Sequence, residues 1–303
     1  MSNILNILPA TDGDIFKVHN LAHYTWFKVG GPAEILFIPN NRNDLVSFIK
    51  QCPKKIPLTL LGAGSNVLIR DGGINGVTIL TKNLNSVKKY SDNSIIAECG
   101  ALDMEISRFA QRNNLGGLEF LIGIPGSLGG AIIMNSGCFG KEIKDILIEI
   151  ECINRKGEIM HIPLHKLDLS YRNSQIPSDL IILSAKLMCF DEINQKIKNK
   201  MKNYFNERKV SQPYGVKTGG STFKNPKGKK SWQLIDNAGC RGLKFGAAQI
   251  SDKHCNFIIN TGNASASDIE ILGETVRKRV YENSGINLKW EIFIIGQNNR
   301  EII

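Results

Sequence analysis

"FLIGIPGSLGGAIIMNSGCFG", residues 120–140, runs for 21 residues without a charge. A bilayer-spanning helix needs about 20 apolar residues, so length alone would allow a membrane span. Composition argues against one. Six of the residues are glycine (123, 126, 129, 130, 137 and 140), and Pro125, Ser127, Asn135 and Ser136 interrupt the others. An interior glycine costs a helix about 1 kcal/mol relative to alanine, and a proline about 3. The stretch is instead expected to be a neutral backbone surface that other atoms approach closely. A diphosphate or a flat ring system would suit it, with Ser127, Asn135 and Ser136 as uncharged donors. Close packing of backbone against backbone explains the glycines nearly as well.

Around this stretch the chain reads as an ordinary globular protein. Its 303 residues are 42% hydrophobic and 22% charged, enough for two or three domains with their own cores. The N-terminal "MSNILNILPATDGD" has neither a basic region nor a long apolar run, so no secretory signal is read and a cytoplasmic location is expected. Seven cysteines (52, 99, 138, 152, 189, 240 and 255) occur without a CxxC pair, which predicts small buried hydrophobes rather than disulfides or a zinc site. His161 and His165 have helical metal-pair spacing, but Pro163 lies between them in a strand-like run, and no metal is expected. The net charge of +10 gathers partly in residues 194–209, a helix with Ile197, Met201, Tyr204 and Phe205 as its apolar stripe. A solvated lysine face is favoured there over a nucleic-acid stripe. A third use of the charge is to draw an anionic small substrate into a cleft.

Strand-like runs and glycine turns alternate in the first third. Residues 33–40 and 76–82 read as strands, 58–66 as a strand running into a loop, and 43–52 as a helix with Asn43 or Asp44 near its start. A strand at 94–101 precedes a helix over 103–114, with Ile106, Phe109 and Ala110 inward, which should stop at Gly116 and Gly117. Strands follow at 145–154, 157–165 and 180–190. The clearest helix lies within 268–285, capped by Ser265 or Ser267, with Ile269, Leu272, Val276 and Val280 on one face and Gly285 just past its end.

Two further stretches could carry chemistry. In "LGAGSNVLIRDGG" (61–73), Gly62, Ala63, Gly64, Ser65 and Asn66 can point several backbone N–H groups at one anion, although the spacing does not complete GxGxxG. In "TGGSTFKNP" (218–226), Ser221 follows two glycines at a tight turn, with Lys224 and Asn225 close behind. No GxSxG elbow or partner histidine accompanies it, so a hydroxyl that donates or relays a proton fits better than a nucleophile.

Taken in order, "LAHYTWFKVGGPAE" (21–34), "LGAGSNVLIRDGG", "GLEFLIGIPGSLGGAIIMNSGCFG" (117–140), "SYRNS" (170–174), "GGSTFKNP" (219–226), "LIDNAGCRG" (234–242), "AAQISDKHCNFIIN" (247–260) and "LKWEIFIIG" (288–296) resemble the UDP-N-acetylenolpyruvoylglucosamine reductase family over nearly the whole chain. The shorter, type II form is implied, because 48 residues separate Arg172 from Ser221. The resemblance implies an α+β fold: a two-subdomain FAD-binding domain of the vanillyl-alcohol-oxidase (PCMH-type) kind (1–82 and 83–192), followed by an α+β substrate-binding domain (193–303). It implies an NADPH-dependent flavoenzyme that reduces UDP-N-acetylglucosamine enolpyruvate to UDP-N-acetylmuramate for peptidoglycan, with non-covalent FAD lying between the subdomains. A monomer acting on small molecules is expected, with neither nucleic acid nor membrane as partner.

By resemblance, the FAD diphosphate meets Gly62 to Asn66, and further contacts come from Gly117, Ile124, Pro125, Gly126, Ser127, Gly129, Gly130, Asn135 and Gly137. Hydride addition to the enolpyruvyl group places negative charge beside the substrate carboxylate. Arg172 would hold that carboxylate through two parallel hydrogen bonds, and Ser221 would give a proton to the carbanionic carbon. Glu291 is expected beside Arg172 at the carboxylate, which requires a raised pKa or a shared proton. Lys209, Gln212, Lys224, Asn225, Lys253 and His254 are the expected substrate contacts. Trp290 stands where the family often has proline, and it constrains the placement of Glu291 differently. Two other readings stay open: a flavin oxidase of the same fold with covalently attached FAD, and a basic nucleic-acid-binding protein.

Overall fold

The computed structural model describes residues 4–298; the first three residues of the N-terminal stretch read above lie outside them. The chain divides into two compact units, one made of Met1–Lys17, Ile35–Ala63 and Gly76–Arg208, the other of Val18–Glu34, Gly64–Asn75 and Lys209–Ile303. The stretches 1–82 and 83–192 thus contribute jointly to the first unit, while 18–34 and 64–75 belong with the C-terminal part of the chain.

The first unit is built on a five-stranded antiparallel sheet. Its strands run in the spatial order Ile159–Pro163, Leu147–Ile153, Ile181–Met188, Ser94–Glu98, Val87–Ser91. In a second sheet, Leu58–Leu61 pairs in parallel with the end of Ile74–Leu80. Helix α1 (Arg42–Gln51) buries Leu45, Val46, Phe48 and Ile49, and Phe48 stacks on Phe37 with ring centroids 4.2 Å apart. Asn43 and Asp44 stand near its start, as expected, and Asn41 is the cap. The Asn41 side chain accepts from both of their backbone N–H groups, while the Asp44 carboxylate accepts from Asn40 N at 2.8 Å and Asp12 N at 3.1 Å.

Helix α2 (Asp103–Arg112) buries Ile106 and Ala110, with Phe109 half-buried. It stops before the expected glycines because Asn114 takes a left-handed φ of 58°. Inside the opening stretch a short helix, α3 (Leu128–Ile133), forms despite Gly129 and Gly130. Both glycines stand in its first turn, and Leu128, Ala131 and Ile132 are buried. Helix α4 (Asn194–Ser211) follows. Its stripe is half-buried apart from Ile197, which is fully buried, and Tyr204 stacks on Phe139 at 4.2 Å and 7°.

Asp103 begins α2 with no exposed surface, and neither carboxylate oxygen has a hydrogen-bond partner among the described residues. Burial holds its pKa well above the usual carboxylate range. The folded state therefore keeps a proton that the unfolded chain releases, and the associated stability is lost as pH rises from the ordinary carboxylate pKa towards the folded one. Relative to Asp103→Asn, the protein should lose about 1.4 kcal/mol per pH unit across that window in urea titrations, whereas parallel pH curves would contradict a neutral Asp103.

In the second unit, Lys217–Ser221, Phe257–Asn260, Ala248–Ile250 and Lys244–Phe245 form an antiparallel sheet in that order. Helix α5 (Ser231–Asn237) and helix α6 (Ala266–Ser284) belong to this unit. Of the two serines expected, Ser265 caps α6, in a reciprocal capping box with Asp268, and Gly285 ends it at φ 69°, as the sequence indicates. Ile269, Leu272, Val276 and Val280 are fully buried. Phe293–Ile295 lies parallel to Val67–Ile69, which draws residues 64–75 into this unit. Among the described residues all seven cysteines are free, no cluster of metal ligands occurs, and no helix is long and apolar enough to cross a membrane.

Candidate active site

The glycine-rich loop after Leu58–Leu61 contributes Gly62 and Ala63 to the first unit. Ala63 N donates to Ser127 Oγ at 3.3 Å, and a Cβ on Gly62 would collide with that hydroxyl. The loop is thereby seated on the start of α3. Beside it opens a cavity of about 440 Å³, walled by Val87, Leu102 and Phe109 and fringed by Lys82, Asn85, Glu105 and Arg112. A flat, partly polar group with an attached anion matches that lining: apolar faces, cationic side chains, and glycine backbone at one edge.

The residues expected along the flavin wall differ in what surrounds them. Pro125 and Gly126 are half-buried and Gly130 is exposed, whereas Ile124 and Ser127 are buried. Gly117 is buried at φ 98°, with its N–H on Glu119 Oε2 at 3.0 Å. Gly129 is packed on Cys99, and its N–H donates to the Cys99 carbonyl at 2.8 Å. A Cβ on Gly137 would run into Lys141 O, so this glycine too answers to protein packing. Asn135 is fully buried. Its amide donates to Glu142 Oε2 at 2.9 Å and Ser170 O at 3.2 Å, and its oxygen accepts from Lys144 N at 3.0 Å. Both amide hydrogens are thus engaged by protein. Through Ser170, Asn135 braces the hairpin that carries Arg172.

That hairpin pairs Leu169–Ser170 with Asn173–Ser174, leaving Tyr171 and Arg172 as its tip. Arg172 sits there at φ 53°, a conformation that costs a non-glycine residue about 1 kcal/mol or more and clusters at functional sites. Its Nη2 donates to Gly137 O at 3.0 Å, and its guanidinium lies 5.1 Å from the Tyr171 ring centroid. Sequence pattern gave no hint of this strain or of the Asn135 brace. Nor did it show that Arg208 of α4 donates to Gly123 O.

In the second unit, Ser221 ends its strand opposite Phe257, after a register irregularity spanning Gly219 and Gly220. Gly220 stands at φ 79°, and a Cβ on Gly219 would strike the Phe27 ring. Such bulges re-aim a side chain and are frequent beside active sites. Immediately afterwards, residues 222–224 meet 289–291. Glu291 N donates to Thr222 O and Lys224 N to Lys289 O, both at 2.8 Å. Glu291 is also held from the glycine-rich loop, since Asn66 Nδ2 donates to Glu291 O at 3.1 Å and Asn66 O accepts from Phe293 N at 3.1 Å. Gly64 is forced to be glycine by Tyr24 O and by its own φ of 63°, and Ser65 next to it is half-buried.

The remaining expected contacts are also in this unit. Asn225 Oδ1 accepts from Ser231 N at 2.9 Å at the start of α5. Lys253 Nζ donates to Lys209 O at 2.7 Å. Gln212 has a buried Oε1 with no hydrogen-bond partner among the described residues, the kind of orphaned acceptor that a ligand donor would satisfy. His254 has a pKa lowered by burial, accepts from Asn256 N at 3.3 Å through Nδ1, and meets Phe257 edge-on at 4.9 Å. Its neutral ring is part of the turn over residues 251–257.

Residues 33–163 match the model of an FAD binding domain, which makes the chain a flavin-binding protein by class. Residues 212–295 match the UDP-N-acetylenolpyruvoylglucosamine reductase C-terminal domain. A relative of that name from Rickettsia akari (strain Hartford) is 47% identical over 96% of this chain and 99% of its own, and one from Rickettsia prowazekii (strain Madrid E) is 46% identical over 97% and 99%. The crystal structure of UDP-N-acetylenolpyruvylglucosamine reductase from Thermus caldophilus superposes with a TM-score of 0.81 at 31% identity, covering 94% of this chain and 99% of that one. The chain belongs to the UDP-N-acetylenolpyruvoylglucosamine reductase family and is an oxidoreductase. Of the three readings that motifs and charge left open, this membership selects the reductase.

Proposed function

We propose that this protein reduces the enolpyruvyl group of UDP-N-acetylglucosamine enolpyruvate to UDP-N-acetylmuramate in peptidoglycan synthesis, as a cytoplasmic monomer with non-covalent FAD and with NADPH as co-substrate. The observation that carries the reading is the register around Ser221. Glu291 N donates to Thr222 O, so the backbone that carries the acid is paired with the residue that follows Ser221 at the bulge.

FAD, when bound, supplies a hydride taken from NADPH to the terminal carbon of the double bond. The Gly62–Ala63 backbone would hold its diphosphate, and the cavity walled by Leu102 and Phe109 would hold its adenosine. Arg172 grips the substrate carboxylate and stabilises the negative charge that develops beside it in the transition state, where a fixed guanidinium acts most strongly. Ser221 Oγ gives its proton to the carbon next to the carboxylate, which completes the reduction. Glu291 hydrogen-bonds at the same carboxylate through a proton. Lys209, Gln212, Lys224, Asn225 and Lys253 serve the sugar nucleotide, with Gln212 Oε1 accepting from it. His254 supports the turn beside Lys253.

The purified protein should be yellow, bleach with NADPH under anaerobic conditions, and release intact FAD on denaturation. A colourless protein, or flavin that stays attached to the unfolded chain, would reject the cofactor assignment. The seat of the diphosphate has its own test. Gly62→Ala drives a methyl group into Ser127 Oγ and should weaken FAD binding by roughly tenfold or more, equivalent to about 1.4 kcal/mol, in a flavin fluorescence titration. Adding Ser127→Ala removes the struck atom and should recover part of the loss. Unchanged affinity in Gly62→Ala would place the diphosphate elsewhere.

A further inference from the structure

Trp290 immediately precedes Glu291, and three side-chain interactions fix it. Its ring packs at 4.9 Å from that of Phe223, its backbone partner across the 222–224/289–291 pairing. Phe223 is fully buried and is locked by Asn256, which accepts from Phe223 N at 3.0 Å and donates to Phe223 O at 2.8 Å. On the other side the indole fills a notch in α6 that exists because residue 273 is glycine; a Cβ there would overlap the far edge of the six-membered ring. The indole Nε1 donates to Glu274 Oε1 at 2.8 Å. Arg277, paired with Glu274 at 2.7 Å, donates to Leu288 O at 2.9 Å. Gly273, Glu274 and Arg277 of α6 therefore hold Leu288 and Trp290 and leave Glu291 as the next residue out.

We infer that Trp290 is a positioning residue: seated in the Gly273 notch and against Phe223, it sets the Glu291 carboxyl relative to the Ser221 hydroxyl. This rests on the roles proposed above for Ser221 and Glu291. Both flanking segments are short and irregular, so their backbone hydrogen bonds alone leave the height of the pairing poorly determined. A bulky planar side chain between α6 and Phe223 fixes that height. A displacement of about 1 Å in a catalytic constellation costs roughly a hundredfold in rate, which makes such a spacer consequential without touching substrate.

The test uses the FAD-loaded protein in anaerobic stopped-flow, reading flavin bleaching by NADPH and flavin recovery by the enolpyruvyl substrate separately. Gly273→Ala pushes the indole out of its notch. Recovery should slow by roughly ten- to hundredfold, while bleaching and flavin content stay close to wild type. Alanine at this helical position favours α6 by about 1 kcal/mol while overpacking costs about 1–3, so normal bleaching and flavin content, not the melting temperature, separate misplacement from damage. Gly273→Ala with Trp290→Phe should recover most of the lost rate, because the shorter ring vacates the space that the methyl group enters.

Wild-type recovery in Gly273→Ala, or equal loss in both half-reactions, would overturn the inference, as would a double variant no faster than Gly273→Ala. Should Gly273→Ala fail to fold, Trp290→Leu carries the same test, and it must show the same asymmetry. Glu291→Gln run in parallel separates the two layers. If it turns over at the wild-type rate, the role of Glu291 itself falls; if it is slow while Gly273→Ala and Trp290→Leu are normal, only the role of Trp290 falls.

Discussion

Ser221→Ala should bleach with NADPH at the wild-type rate, yet recover its flavin colour with the enolpyruvyl substrate roughly a hundred- to ten-thousandfold more slowly, the range of a lost general acid. The asymmetry follows from chemistry: hydride delivery from NADPH needs no proton from the protein, whereas forming the new C–H bond beside the carboxylate does. The geometry gives the hydroxyl no easy substitute. Ser221 is placed by the bulge over Gly219 and Gly220, and the hydroxyl-bearing Thr222 that follows is buried, with its Oγ1 engaged by Ile258 N at 3.3 Å. Equal loss in both half-reactions would assign Ser221 to binding rather than proton transfer. Ser221→Cys, which keeps a donor, should fall between the two.

Arg172→Lys is expected to show the same half-reaction pattern, with recovery slowed by roughly a hundred- to a thousandfold. Lysine keeps the charge but loses the planar pair of donors that matches a carboxylate, so the exchange is not conservative at such a position. The strained φ of 53° is unaffected by the change, as is the bracing of Ser170 by Asn135. Lysine retains one ammonium donor for Gly137 O, but while making that bond it cannot present a second fixed donor to the substrate. The substrate KM should rise together with the fall in kcat if, as proposed, Arg172 holds the carboxylate in the ground state as well as in the transition state. A near-normal rate would remove Arg172 from the carboxylate.

Much of this was legible in the sequence, and what was missed has physical causes. The amphipathic period, a serine cap at Ser265 or Ser267 and the glycine stop at Gly285 identified α6 because these local signals pointed to one structure, and the capping box with Asp268 settled the cap on Ser265. The end of α2 was misplaced because Asn114 can take the left-handed conformation that was expected only of Gly116 and Gly117. Helix α3 went unseen because glycine counts weigh the whole stretch, whereas Gly129 and Gly130 stand in the first turn, where Leu128, Ala131 and Ile132 bury the helix against the core. Motif order picked out Ser221, Glu291 and Arg172, but it could not show the network that supports two of them. Asn66 to Glu291 spans 225 residues and Asn135 to Ser170 spans 35, and no local pattern encodes such contacts. The uncharged stretch itself has a double character. Pro125, Gly126 and Gly130 are at least partly open, while Gly129, Asn135 and Gly137 serve packing and bracing within the protein.

We propose that this flavoenzyme passes its reducing equivalents to an enolpyruvyl ether. The most direct measurement is a single turnover: the FAD-loaded protein is bleached with one equivalent of NADPH under anaerobic conditions and then mixed with UDP-N-acetylglucosamine enolpyruvate. The predicted result is rapid return of the flavin colour with one UDP-N-acetylmuramate formed per flavin. A protein that stays bleached with this compound, or regains its colour without forming that product, would contradict the assignment.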